Sequence, residues 1–202
     1  MRYCLLREDI LSQDANFNEY KMKKYLNAEL ANTLGNLLNR VTSPAINPSH
    51  TYPSYCLPFF PPSTNDLAEQ CNQLAARVTP AYDSYEFYHG FIAIMDVLRT
   101  CNAYVQSEQP WLLAKSPKEI DRQRLQVLIY LTLECLRICG ILLQPIIPSI
   151  TKQLLDVLDI DENKRTLSDC KILMKHNQRK LNLKENERLS LYQRLPIVEK
   201  DI

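Results

Sequence analysis

Apolar residues recur at helical spacing through long stretches of this chain, and prolines separate one stretch from the next. Between residues 26 and 41 this spacing places a single apolar stripe on a helix, formed by Leu26, Leu30, Leu34, Leu37 and Val41. Three glycines and twelve prolines in 202 residues fit helices that end sharply. No stretch shows the alternation that is typical of a strand. The sequence therefore predicts an all-α helical bundle.

A proline-rich segment divides the predicted helices. Residues 43–63 contain six prolines, which exclude a continuous helix and a central strand. We expect this segment to form a strap across the bundle, held by Tyr52, Tyr55, Phe59 and Phe60. Beyond it, the apolar periodicity predicts helices over about residues 64–78, 84–106, 118–143 and 149–158. From Asp159 the chain becomes charged, and this tail either is partly ordered or packs on the bundle or on another domain.

Composition argues against several classes of function. Residues 125–147 are apolar enough to suggest a membrane span, but Gln126, Glu134, Arg137 and Gln144 interrupt them, so they predict a buried bundle helix and no membrane partner. Seven cysteines without a Cys-x-x-Cys pair indicate small core residues in a reducing compartment. No spacing of histidine or cysteine indicates a metal site. No phosphate-binding glycine loop, nucleophile elbow or catalytic carboxylate pair stands out, so no catalytic residue is predicted.

A polar stripe runs beside the apolar one on the first long helix. It consists of Glu29, Thr33, Asn36 and Arg40, and the last two are four residues apart, which makes them neighbours on the helix surface. An amide beside a planar guanidinium can hydrogen-bond the edge of a nucleobase, although the same pair can also form an ordinary solvated face. The formal net charge of +1 shows no bulk attraction for nucleic acid. Any RNA binding must therefore depend on a local patch.

Two sequence motifs resemble those of a known family. The stretch from Asn27 to Arg40, NAELANTLGNLLNR, resembles the helix that opens the anticodon-binding domain of methionyl-tRNA synthetases. Residues 102–111, NAYVQSEQPW, match that family's Asn-x-Tyr-Val-x-x-x-x-Pro-Trp signature. The likeness covers roughly residues 2–158, and residues 46–56 and 134–148 resemble the mitochondrial type. It implies a helical bundle of the class I aminoacyl-tRNA synthetase anticodon-binding type.

The resemblance also implies roles for individual residues. In that family the Asn and Arg of an Asn-Leu-x-x-Arg step contact the first anticodon base, a cytosine, and the Trp after the Pro stacks on it. The implied anticodon-binding residues here are Asn36, Arg40 and Trp111. Trp111 is expected to supply affinity, because stacking tolerates any base, while Asn36 and Arg40 supply the preference for cytosine. The implied partner is the CAU anticodon loop of tRNA(Met), and DNA is not an expected partner.

The family's enzymes join methionine to its tRNA using ATP, and the mitochondrial type does so in the mitochondrial matrix. This chain has no His-x-Gly-His element of the class I active site, so it is predicted to be inactive alone and to need no cofactor itself. Residues 1–16 resemble a linker that follows the catalytic domain, and that domain is the second expected partner. The anticodon-binding domain is then expected over residues 17–158, and a charged C-terminal extension over residues 159–202.

Other interpretations remain open at this point. The helical domain could belong to a leucine, isoleucine, valine or cysteine synthetase, although Asn36, Arg40 and the Pro110–Trp111 pair disfavour them. A helical protein–protein scaffold would have apolar grooves for partner helices and no affinity for RNA. A truncated product would fold poorly alone, because the surface meant for a catalytic domain would be exposed.

Overall fold

A computed structural model describes residues 2–8, 18–54, 62–173, 178–183 and 190–197, without the side chains of residues 8 and 62–65. The described helices are α1 (Arg2–Glu8), α2 (Glu19–Tyr25), α3 (Asn36–Thr42), α4 (Pro62–Asp83), α5 (Phe87–Glu108), α6 (Pro110–Leu113), α7 (Glu119–Leu143) and α8 (Pro148–Val157). Between α2 and α3, Leu26–Gly35 is π-helical, and the three pieces form one continuous rod, called here the α2–α3 rod. The 3₁₀ turns Glu162–Lys164 and Leu167–Asp169 follow α8. The all-α prediction is confirmed.

Helix ends follow the prolines with one exception. Helices α7 and α8 end and begin around Pro145 and Pro148, close to the predicted boundaries. Helix α4 instead runs to Asp83, past its predicted end at Val78, with Pro80 inside it. Proline removes one backbone donor and crowds the preceding turn. The helix tolerates this loss so near its end because α4 packs along α5.

The strap reaches the core through Tyr52. This residue belongs to the two-residue strand β1 (Thr51–Tyr52), which pairs antiparallel with β2 (Arg179–Lys180). Two residues are too few to produce a pattern in the sequence, so no strand was expected. Tyr52 is fully buried, and its hydroxyl donates to a carboxylate oxygen of Glu134. The other aromatic residues expected to hold the strap, Tyr55, Phe59 and Phe60, lie outside the described residues.

Helix α7 is the centre of the bundle. It packs against α3, α4, α5 and α8, and every residue from Val127 to Leu143 is buried. By length and composition alone this helix could cross a membrane, but 89% of its most apolar window lies inside the protein. The prediction of a buried bundle helix is confirmed. All five residues of the apolar stripe on the α2–α3 rod are buried as well.

A buried ion pair fastens the tail to α7. The Arg137 guanidinium lies 2.8 Å from the Glu134 carboxylate, and both side chains are almost fully buried. Arg137 also donates to the backbone carbonyls of Asp169 and Lys171, while the Leu173 amide donates to Glu134. The pair therefore satisfies backbone groups of an irregular segment, which is what a buried charge requires.

The cysteines of the described regions are core residues. Cys71, Cys101, Cys135, Cys139 and Cys170 are buried and free. Burial raises the pKa of the Cys139 thiol, and it raises that of Cys170 to about 12. Such thiols stay protonated and unreactive at neutral pH. The prediction of small core residues is confirmed for these five, and the reducing compartment stays a prediction.

Candidate nucleic-acid interface

The α2–α3 rod begins and bends according to its sequence. Asn18 caps it, since its side-chain oxygen accepts from the Lys21 amide at 2.9 Å. Within the π-helical part, the Thr33 hydroxyl donates to the Ala28 carbonyl at 2.8 Å. The backbone N–H of Asn36 donates to the carbonyls of Ala31 and Thr33. π-helical turns are rare and occur frequently at functional sites. Asn36 is the first residue after this wider segment.

Asn36 and Arg40 both have free polar groups. They lie one turn apart on α3, and both side chains are half-buried. Among the residues that the structure describes, neither side chain has a hydrogen-bond or ion-pair partner. An arginine held partly inside a protein without a partner is available to a ligand that offers acceptors. The two predicted residues are therefore adjacent, and their polar groups bond no other described residue.

The other two residues of the predicted polar stripe have structural partners instead. Thr33 bonds its own helix, as described above. Glu29 is buried, although the helical pattern placed it on the same polar flank as Asn36. It is buried because side chains from α1 and α5 surround its carboxylate, and the residues that supply them are far away in sequence.

Asn102, the first residue of the second motif, joins α5 to the rod. Its amide donates to the Thr33 carbonyl at 3.3 Å and to the Leu98 carbonyl at 3.1 Å. One turn earlier, Arg99 lies 3.6 Å from Glu29. The two helices therefore run parallel, with partners 69–70 residues apart in sequence. These contacts lie in the π-helical part of the rod, whereas α3, which carries Asn36 and Arg40, packs on α7.

Trp111 follows the turn at the end of α5. Gln109 ends α5 in a left-handed conformation, with φ of 48°, and Pro110 starts the four-residue helix α6. Pro110 and Leu113 are buried and anchor α6, while Trp111 keeps 38% of its surface exposed. The ring therefore projects from the bundle just beyond the end of α5. The structure brings Asn36 and Arg40 together on α3, and the joining of Trp111 to them in one site stays a prediction.

The described part of the tail packs on the bundle, which was one of the alternatives left open, and it forms a second wall beside Asn36 that the sequence did not predict. An open groove of about 660 Å³ separates the rod from the tail, and its lining residues are Ala31, Asn32, Asn36, Asn39, Ser190, Tyr192, Gln193 and Arg194. A smaller groove of about 390 Å³ continues from it past Lys24 and Asn27. The signal that could have found this groove is the series of asparagines at 27, 32, 36 and 39 on the rod.

Two asparagines hold the tail in place. The Asn27 side chain donates to the Leu195 carbonyl at 2.9 Å and accepts from the Leu195 amide at 2.8 Å. Arg194 donates to the Asn32 side-chain oxygen through Nε at 3.0 Å and Nη2 at 2.6 Å. Because Asn32 is neutral, this contact orients the guanidinium without cancelling its charge. The described lining of both grooves contains Lys24 and Arg194 but no acidic side chain.

The described parts of the chain contain no group of three or more His, Cys, Asp or Glu side chains that could hold a metal ion. The grooves and the three predicted residues offer chemistry of one kind. It comprises amide donors and acceptors, arginine forks and one exposed indole ring. These groups suit an extended, anionic ligand with flat polar rings.

Family comparisons agree with the two sequence motifs. A family model described as the anticodon-binding domain of tRNA ligase matches residues 65–196, and a model described as tRNA synthetases class I (M) matches residues 1–42. The human mitochondrial methionine–tRNA ligase is 37% identical over 186 residues, which cover 85% of this chain and 31% of that protein. The chain thus spans about a third of the length of this relative.

Solved structures share the fold. The apo form of Mycobacterium tuberculosis methionyl-tRNA synthetase superposes with a TM-score of 0.87 at 28% identity, covering 96% of this chain and 38% of that one. The same enzyme in complex with methionyl-adenylate gives a TM-score of 0.86 at 29% identity, covering 96% of this chain and 37% of that one.

Proposed function

The chain belongs to the family of anticodon-binding domains of tRNA ligases, and we propose that it recognises the CAU anticodon loop of tRNA(Met) as part of a mitochondrial-type methionine–tRNA ligase. The similar proteins support the choice of amino acid, since they are methionine enzymes from both mitochondria and bacteria. The matrix of the mitochondrion is the proposed compartment. The whole enzyme would join methionine to tRNA using ATP, and its catalytic part would be the partner of this chain.

The proposed domain division follows that role. Residues 1–16 connect to the catalytic part, residues 17–158 form the anticodon-binding domain, and residues 159–202 are a charged extension. Helix α1 lies in the first of these and packs on α5. This contact supports a linker that is docked on the bundle.

Each site residue has a distinct proposed task. Trp111 stacks on the cytosine, a contact worth about 1–3 kcal/mol for any base. Asn36 and Arg40 hydrogen-bond the polar edge of that cytosine and reject bases with a different edge. The observation that carries this proposal is the pair of Asn36 and Arg40, whose side chains have no partner among the described residues, and the exposed indole ring of Trp111 supports it.

The test uses the fluorescence of Trp111, the only tryptophan in the chain. The folded chain is titrated with an anticodon stem-loop that carries CAU and with one that carries GAU, at two salt concentrations. We expect strong quenching by the CAU loop, at least about tenfold weaker binding of the GAU loop, and loss of affinity at higher salt.

A variant in the same short helix provides the control. Leu112, next to Trp111, has 55% of its surface exposed, and Leu112→Ala should keep both the quenching and the preference for CAU. No response of the folded wild-type chain to either RNA would contradict the proposal and would favour the helical scaffold. Equal binding of both loops would contradict the proposed role of Asn36 and Arg40 in the preference for cytosine.

A further inference from the structure

One carboxylate joins three helices just ahead of the proposed site. Glu29 lies in the π-helical part of the α2–α3 rod, seven residues before Asn36, and only 7% of its side chain is exposed. The Tyr3 hydroxyl donates to Glu29 Oε2. Arg7 donates through Nε at 3.2 Å and through Nη2 at 3.2 Å, so its fork grips both carboxylate oxygens. Arg99 of α5 lies 3.6 Å away.

These contacts define where Glu29 can be. Arg7 lies over the rings of Tyr25, Tyr88 and Phe91, at 4.6, 5.3 and 5.7 Å from their centroids, which fixes its guanidinium. Burial and the neighbouring carboxylate raise the pKa of Tyr3, so its hydroxyl remains a donor. A buried charge that is gripped in this way tolerates little displacement, because any shift would leave it unpaired. Glu29 is therefore a fixed point on the rod.

The position of this fixed point along the rod matters for the site. In a π-helix each turn holds more residues than in an α-helix, so the two forms rotate the following side chains differently. Glu29 lies inside the π-helical segment, and Asn36 and Arg40 come directly after it. The Asn102 contact at Thr33 holds the rod between them. The orientation of the Asn36 and Arg40 side chains about the helix axis thus depends on the position of Glu29 and on the π-helical conformation of this segment.

We propose that Glu29 is a positioning residue for anticodon recognition, because its grip on Tyr3, Arg7 and Arg99 fixes the rotational setting of the helix that carries Asn36 and Arg40. This inference rests on the proposed function. It also assigns a task to α1, which lies in the segment matched by the class I synthetase model, while Arg99 lies in the segment matched by the anticodon-binding model. Glu29 connects the two.

The test compares Glu29→Gln with a matched variant, Glu134→Gln. Both residues are buried carboxylates that accept from one tyrosine and one arginine, but Glu134 lies on α7 and faces the tail. Each full-length variant is titrated with the CAU and GAU stem-loops, and its denaturant midpoint is measured. We expect both variants to lose stability. Only Glu29→Gln should lower the CAU-to-GAU affinity ratio, by about tenfold, which is the size of one lost base-edge contact.

Two further measurements separate positioning from general damage. In an Asn36→Ala, Arg40→Ala background, Glu29→Gln should cause no further loss of RNA affinity, because the side chains through which it acts are absent. Hydrogen exchange of the amides of residues 31–40 should rise in Glu29→Gln and remain unchanged in Glu134→Gln. If Glu29→Gln does not fold, Tyr3→Phe removes only the hydroxyl donor and should give the same effects at smaller size.

The outcomes distinguish this inference from the function on which it rests. A wild-type chain that does not discriminate between the loops overturns the proposed function, and with it the assignment of Glu29. If the wild type discriminates between the loops and Glu29→Gln keeps the same CAU-to-GAU affinity ratio, only the positioning role of Glu29 is overturned. An equal loss of ratio in Glu134→Gln would likewise show that general destabilisation, not Glu29, is responsible.

Discussion

At the scale of single residues, the shape of the Arg40 side chain should matter more than its charge. A guanidinium can present two parallel donors to a base edge, whereas a lysine ammonium offers a single point of charge. Arg40→Lys should therefore preserve binding through phosphate attraction but reduce the CAU-to-GAU ratio by about tenfold, as expected for loss of a two-point contact. The ratio is measured with the two stem-loops by Trp111 fluorescence.

The matched control for this change is Arg77→Lys, at an exposed position on α4. It has the same chemistry in a place remote in sequence from the proposed site, and the ratio should not change. An Arg40→Lys protein that discriminates as well as the wild type would mean that Arg40 contacts phosphate only.

Sequence patterns predicted the surroundings of some polar residues and not of others for a physical reason. Asn36 and Arg40 are neighbours by local helical geometry, so spacing was sufficient to pair them, whereas their roles and that of Trp111 were implied by the family resemblance and stay predictions. Glu29 shares the same spacing but is buried. Its burial depends on partners in α1 and α5, and no local pattern contains that information.

At the scale of elements, the side-chain amide of Asn27 is one of two that hold the tail on the rod. Asn27 pairs with both backbone groups of Leu195, much as a neighbouring strand would. Asn27→Ala should leave the Leu195 amide and carbonyl without these partners and should cost about 1–3 kcal/mol of unfolding free energy if the tail stays packed. If the tail is released instead, trypsin should cleave after Arg194 faster than in the wild type. Mass spectrometry follows that cleavage.

Asn39→Ala provides the comparison, because Asn39 lines the same groove and is exposed. In the Asn39→Ala protein, neither the free energy of unfolding nor the rate of cleavage after Arg194 should differ from the wild type. Unchanged stability and unchanged cleavage in Asn27→Ala would show that the pairing with Leu195 does not hold the tail.

The elements themselves were largely predictable, because long apolar periodicity and prolines act locally. The bundle helices, the buried character of α7 and the strap residue Tyr52 all followed from that pattern. The docking of residues 190–197 did not. This segment is short and irregular, so its place depends on the burial of Leu191 and on hydrogen bonds to Asn27 and Asn32, which leave no periodic signal.

At the scale of the whole molecule, a formal charge of +1 conceals an uneven distribution. Lys24, Arg40 and Arg194 are on or beside the rod, and the described groove linings there hold no acidic side chain. Net charge therefore says little about RNA binding by this chain, since a ligand responds to the local field within about 10 Å at 0.1 M salt.

This distribution predicts a weak but definite salt dependence. Lys24 and Arg194 are then the phosphate contacts, since Arg40 is assigned to the base edge, and two contacts to a single-stranded loop correspond to a slope of about −1.4 in a plot of log affinity against log salt. Affinity for the CAU loop should then fall roughly sevenfold between 50 and 200 mM salt. Arg194→Gln should make the slope shallower by about 0.7, because it removes one contact. Lys152 is an exposed lysine on α8 that pairs with Asp156 and Glu162, and Lys152→Gln should leave the slope unchanged.

A slope steeper than about −5 would instead mean diffuse attraction to many cations, and the base-edge contacts of Asn36 and Arg40 would then contribute little to affinity.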